Sequence, residues 1–217
     1  MRNFLPLLFI LCLSFTSCLT ITESYYFKKD GSGSMHFAVD MSEMQTLLAY
    51  ADREQEANSL DDLSFVEVVK LLKQIDGIYE VTLLDEPAEY RWGVSYEFEH
   101  TVALNKALNI LLINEQNQSF HPFIEYHGQQ FKSNHLMNKF VMREKLGEDE
   151  RLAPLAEQLM KKMDYHIHYE FARPIKVVYA QQAVELEGTK PKKLDLSANF
   201  WELEDDKTIL DATLVLK

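Results

Sequence analysis

The chain has 217 residues, 47% of them apolar and 26% charged, with 34 acidic against 22 basic side chains and a formal charge of −12. This composition is ordinary for a globular domain. The acidic balance argues against nucleic acid and against lying flat on an anionic bilayer, since both need a basic face.

In chain order, the first feature is a leader. Arg2 is the only charged side chain before Glu23, and Phe4 to Leu13 is almost wholly apolar. A positive start, a short apolar core and small residues at the end define a secretion signal. A spanning helix needs about 20 apolar residues, more than this run supplies. Phe15-Thr16-Ser17-Cys18 resembles the bacterial lipobox, with Phe15 where an aliphatic residue is usual. The resemblance implies cleavage before Cys18, a thioether-linked diacylglycerol on its sulfur and an acylated amine. One acyl chain holds only weakly, so two or three give a stable anchor. The alternative is an ordinary secreted protein with Cys18 as a stray thiol. Cys12, the other cysteine, falls in the leader, so the mature chain has neither a disulfide framework nor a thiolate metal site.

Residues 20–40 read as a hairpin. Ile21, Tyr25 and Phe27 alternate with Thr22, Ser24 and Tyr26 before Asp30-Gly31-Ser32-Gly33 turns the chain. Ser42 to Tyr50 has helical spacing, 52–64 is a polar loop, and Ser64 to Ile75 is a second helix striped by Phe65, Val68, Val69, Leu72 and Ile75. Ile78 to Leu84 pairs with Tyr90 to Glu99, whose Tyr90, Trp92, Val94, Tyr96 and Phe98 share a face. Thr101 to Ile113 is a helix, 114–119 a turn, and Phe120 to His135 a weaker hairpin around Gly128. Leu136 to Leu146 fits neither period, and Ala153 to Met163 reads as a helix. Tyr165, Ile167, Tyr169 and Phe171 then alternate with His166, His168 and Glu170 in a strand that continues, kinked at Pro174, through Tyr179. Segments 183–187, 193–203 and 208–216 close the domain. The hairpin–helix rhythm predicts an α+β fold, an antiparallel sheet of successive hairpins with helices packed on one face.

Chemistry-bearing motifs are sparse. Asp30-Gly31-Ser32-Gly33 looks like part of a calcium loop, but that register puts Lys28 and Val39 at ligand positions, so it reads as a turn. His166 and His168 share a strand face with Glu170, and two histidines with a carboxylate could hold zinc or iron. The competing reading is a wet sheet face, and no HExxH or cysteine set supports a metal. No nucleophile elbow, P-loop or dinucleotide fingerprint occurs. No catalytic residue and no cofactor are therefore assigned. Lys190-Pro191-Lys192-Lys193 reads as a loop rather than a lipid-headgroup site.

The lipobox cysteine, the hairpin around Asp30-Gly31-Ser32-Gly33 and Val39-Asp40-Met41-Ser42 leading into a helix together resemble small uncharacterised bacterial envelope lipoproteins. Tyr169 to Ile175, a Tyr-x-Phe-Ala-x-Pro-Ile stretch, is similar to the late strand of LppM-type lipoprotein domains. The resemblance implies an envelope domain and transfers no catalytic residue. The expected organisation is a signal peptide at 1–17 and one periplasmic α+β domain at 18–217, anchored through Cys18. The expected place is the periplasmic face of an outer membrane, with the outer leaflet of the inner membrane or the cell surface as alternatives. The expected role is a non-catalytic binding or assembly module for a lipid-like ligand or a membrane protein partner. An envelope hydrolase or metal enzyme with a His/carboxylate site is the alternative.

Overall fold

The computed structural model describes residues 19–44, 65–113, 120–135, 161–180, 186, 188–200 and 209–217. The leader, Cys18, the expected helix beyond residue 44, the loop 52–64, the turn 114–119, the stretch 136–146, most of the helix expected at 153–163, most of segment 183–187 and residues 201–208 lie outside them.

Ten strands carry the described fold: β1 (Leu19–Phe27), β2 (Gly33–Asp40), β3 (Ile78–Glu86), β4 (Arg91–Phe98), β5 (Ile124–His127), β6 (Gln130–Ser133), β7 (Met163–Phe171), β8 (Ile175–Ala180), β9 (Lys193–Asn199) and β10 (Ala212–Leu216). The helices are α1 (Val66–Leu72) and α2 (Thr101–Leu108), the latter continued by a π-helical turn at Asn109–Ile113. The strands form a six-stranded sheet in the order β3-β4-β2-β1-β7-β9 and a four-stranded sheet in the order β5-β6-β10-β8.

This overturns the α+β expectation. The described residues are mostly strand, at 52%, and the helices are short. The large sheet is mixed rather than antiparallel, because β1 pairs in parallel with β7 along its whole length, from Leu19 opposite Met163 to Phe27 opposite Phe171. Hairpin signals report only neighbouring strands, whereas a parallel pair needs a long crossover that no local pattern announces. A second correction concerns Pro174. Ile175–Ala180 does not continue β7 but crosses to the second sheet and pairs with β10. Proline has no N–H to donate to a ladder, and beyond it Ile175 N donates to Pro191 O at 2.7 Å.

Most local readings hold where residues are described, with three exceptions: Met163, the expected end of a helix, opens β7, the strand expected from Phe120 begins at Ile124, and Tyr90 takes a φ of 55° ahead of β4. β1 and β2 pair in register from Thr20–Asp40 to Phe27–Gly33. Gly31 takes a φ of 88°, and the Asp30 carboxylate accepts from Ser32 N at 3.1 Å and Ser32 Oγ at 2.7 Å, which makes this a side-chain-braced turn. A Cβ on Gly33 would sit 1.8 Å from Tyr26 O, so only glycine lets the two strands close there. Leu72 is buried, and Phe65, Val68, Val69 and Ile75 pack beside it as the helical stripe requires.

One continuous apolar core joins both sheets and both helices. Its centre is the fully buried Phe27, whose ring meets Phe98 and Phe171 of its own sheet and Tyr126 and Phe131 of the other at centroid distances of 5.3–5.7 Å. A second tie is polar. Buried Asn105 of α2 donates to Ile124 O and accepts from Ile124 N, both at 2.8 Å, replacing the strand partner that the edge of β5 lacks. Among the described residues no helix is long and apolar enough to cross a membrane.

Phe27→Ala is expected to lower unfolding free energy by about 3–5 kcal/mol, as for other buried aromatic truncations. Asn105→Leu strands two buried backbone groups and is expected to cost about 1–3 kcal/mol, although it adds apolar surface. Denaturant melts check both, and a neutral Asn105→Leu would show that the amide does not hold β5.

Candidate functional site

Alternation gives β1 two unlike faces. Ile21, Glu23, Tyr25 and Phe27 point into the core, and Thr22, Ser24 and Tyr26 point out. Two polar constellations result, one on each side of the large sheet.

The inner one centres on Glu23, which is fully buried. The hydroxyls of Tyr25 and Tyr165 donate to its two carboxylate oxygens. Tyr96 lies in the same field, and its buried hydroxyl has no hydrogen-bond partner among the described residues. Burial pushes Glu23 above the ordinary carboxyl value of 4.5, while the two tyrosine hydrogen bonds pull the other way. Burial also holds Tyr25, Tyr96, Tyr165 and Tyr169 well above 10, so they stay protonated. Beside them the buried His135 shares a 2.8 Å hydrogen bond through Nε2 with the Tyr169 hydroxyl. Burial, reinforced by His121, lowers its pKa to about 3, which keeps the ring neutral. Glu23 belongs to no sequence motif. Its one signal in the sequence is position, since it occupies the apolar phase between Ile21 and Tyr25.

The outer constellation is a trough of about 640 Å³ on the opposite face. Register builds it. One line crosses all six strands: Thr82 on β3, Ser95 on β4, His36 on β2, Ser24 on β1, His168 on β7 and Asp195 on β9. The next line runs Glu97, Ser34, Tyr26, Glu170 and Lys193. Ser24, Ser34 and Ser95 are short and form a low floor, while longer side chains rise around them. The pairs are His168 Nδ1 with Asp195 Oδ1 at 2.6 Å, Lys193 with Glu170 at 3.5 Å and Lys28 with Glu97 at 3.7 Å. All are well exposed, so they add little stability. Partial desolvation, reinforced by the Arg91 cation, lowers the pKa of His36 below 6.5.

Of the candidates that the sequence singles out, His166, His168 and Glu170 do share the outer face of β7. The two imidazoles stack at 6.3 Å, but His168 turns its Nδ1 to Asp195 and Glu170 pairs with Lys193. No three histidine, cysteine or acidic side chains converge as a metal set among the described residues. Asp195 carries no sequence signal as a partner of His168, because β9 joins β7 only through the tertiary fold. The order Ser24, His168, Asp195 across three strands has the sequence of roles of a hydrolytic triad. Among the described residues no hydrogen bond joins the Ser24 hydroxyl to the imidazole, and the strands around it commit their N–H groups to ladders on both sides. Backbone donors for an oxyanion, on which acyl transfer depends, are therefore not presented by these ladders beside Ser24 among the described residues.

No protein-family model matches the chain, and no curated protein matches it. Among solved structures, the NMR structure of the folded domain of LppM from Mycobacterium tuberculosis aligns over 93% of this chain and 90% of that one, at 11% identity and a TM-score of 0.39. A TM-score of that size lies below the level at which a common fold follows.

The two buried titrations have opposite signs. The pKa of Glu23 is raised on folding, so its contribution is complete below 4.5 and is lost as pH rises through the folded value. That of His135 is lowered, so its contribution is complete above 6.5 and is lost as pH falls towards about 3. Stability should therefore fall on both sides of a mildly acidic to neutral maximum. Glu23→Gln is expected to flatten the alkaline limb by up to about 1.4 kcal/mol per pH unit. Melting curves across pH check this, and an unchanged alkaline limb in Glu23→Gln would rule Glu23 out as its source.

Proposed function

We propose that this chain is a lipid-anchored envelope protein, with residues 1–17 as its signal peptide and 18–217 as its domain, acting as a non-catalytic binding or assembly module close to a bilayer. The observation that carries the reading is where the described residues enter the sheet. Leu19, the residue after Cys18, is already the first residue of β1, and its N–H reaches Lys162 O at 3.4 Å. An extended residue spans about 3.5 Å at most, so acyl chains on Cys18 would hold the end of β1 against the headgroups. A lipid-like ligand or a membrane protein partner then lies within reach, and a distant soluble one does not. In this reading the protein sits on the periplasmic face of an outer membrane, with the inner membrane's outer leaflet or the cell surface as alternatives. The working surface is the outer trough, the polar depression of the large sheet. A hydrolase is the second reading, favoured by the His168–Asp195 pair alone.

Cys18→Ser is expected to move the protein from the membrane to the soluble envelope fraction, read by fractionation and by loss of lipid mass. A long flexible insertion between Cys18 and Leu19 should keep the protein on the membrane yet impair its function. Full function with the insertion would show that closeness to the bilayer is not required.

A further inference from the structure

We infer that the trough on the outer face of the large sheet binds an uncharged saccharide chain. This inference rests on the binding-module reading and puts a saccharide in place of its lipid-like ligand. Four features of the trough select the ligand class.

The first is the floor. Ser24, Ser34 and Ser95, on three neighbouring strands, offer hydroxyls that both donate and accept. Such groups match the hydroxyls of a polyol, whose own oxygens do the same. The second is the sign of the charge. Among the described residues, Glu80, Glu97, Glu170 and Asp195 line the trough against Lys193 as the single lysine or arginine. An anionic ligand, whether phosphate, nucleic acid or an anionic headgroup, meets repulsion there.

The third feature is the state of those carboxylates. Glu97, Glu170 and Asp195 each already hold a basic partner from the same face. They remain acceptors for hydroxyls without presenting a bare acidic cluster to a polycation. Glu80 differs. It sits in the bulge where the β3–β4 register shifts, at a φ of 51° that is costly for a non-glycine residue. A bulge of this kind re-aims a side chain, and Glu80 is among the residues that line the trough. The fourth feature is aromatic surface facing outward. Tyr26, in the middle of the second line, and Tyr79, which faces Glu97 from β3, present partly exposed rings on which sugar faces can stack. The other outward residues of the two lines are serines, a threonine, histidines, carboxylates and a lysine.

Position agrees with this chemistry. Ser24 lies five residues beyond Leu19, about 17 Å along an extended strand. That places the trough beyond the point where lipid tails attach and within reach of saccharide material near a membrane surface.

The test is calorimetric titration of the full chain in neutral detergent with uncharged chito-, cello- and malto-oligosaccharides. Spermine and phosphatidylglycerol vesicles serve as competing probes. Binding of at least one oligosaccharide is expected, weakened by about tenfold or more in Ser95→Leu, which fills the floor, and several-fold in Glu80→Ala. Glu80 is exposed, so the second variant tests the site even if the first disturbs folding, and melting temperatures monitor both. Absence of binding by every oligosaccharide at millimolar concentration overturns the inference. So does binding that both variants leave unchanged, or binding of spermine or vesicles alone. The anchoring reading is judged separately, by whether Cys18→Ser leaves the membrane. Saccharide failure with that release intact would remove the ligand class and keep the module.

Discussion

Everything in the large sheet hangs on the parallel pairing of β1 with β7. Leu19–Phe27 lies against Met163–Phe171 without a register break, joining the strands built from the β1–β2 and β3–β4 hairpins to the β7–β9 pair. On one side stand β2, β4 and β3. On the other stand β7 and β9. Closing a loop of this length costs entropy before any contact repays it. The aromatic centre supplies that return, because Phe27 and Phe171 stack at the end of the pair, and the second sheet closes over them through Tyr126 and Phe131.

The same pairing creates the chief tension in the core. It places Glu23 in the middle of a buried face, opposite Ile167 on one side and Phe37 on the other. The carboxyl there takes its hydrogen bonds from tyrosine hydroxyls. A buried polar network stabilises when its members are satisfied and destabilises when they are not. Here Glu23, Tyr25 and Tyr165 satisfy one another, while the Tyr96 hydroxyl and His135 Nδ1 have no partner among the described residues. The core therefore holds Glu23 with its pKa raised by burial against the pull of two tyrosine hydrogen bonds, and stability is tied to proton activity.

Across the sheet, the outward residues follow a different logic. Because side chains alternate, a register that buries Tyr25 and Tyr169 must expose Ser24 and His168. The trough is the other face of the core, and its composition is free to serve recognition. Its short floor and its mutually paired charges leave hydroxyls, imidazoles and carboxylates facing outward together.

Alternation and turn chemistry are legible in the sequence itself. The β1–β2 and β3–β4 hairpins, the inward faces of β4 and β7, the α1 stripe and the braced turn at Asp30 follow from side-chain period and glycine placement, which are local properties. The outward placement of His166, His168 and Glu170 is legible for the same reason. The balance of strand over helix is not, nor is the passage of Ile175–Ala180 into a second sheet. Both depend on which distant strands find one another, and a single chain's local pattern does not encode that choice. The line Ser95, His36, Ser24, His168, Asp195 likewise draws on five strands scattered from residue 24 to residue 195. By itself the sequence determined which face of each strand is wet and where the chain turns. The tertiary structure alone decided which wet faces adjoin, because register between remote strands is set by the packing of the core beneath them.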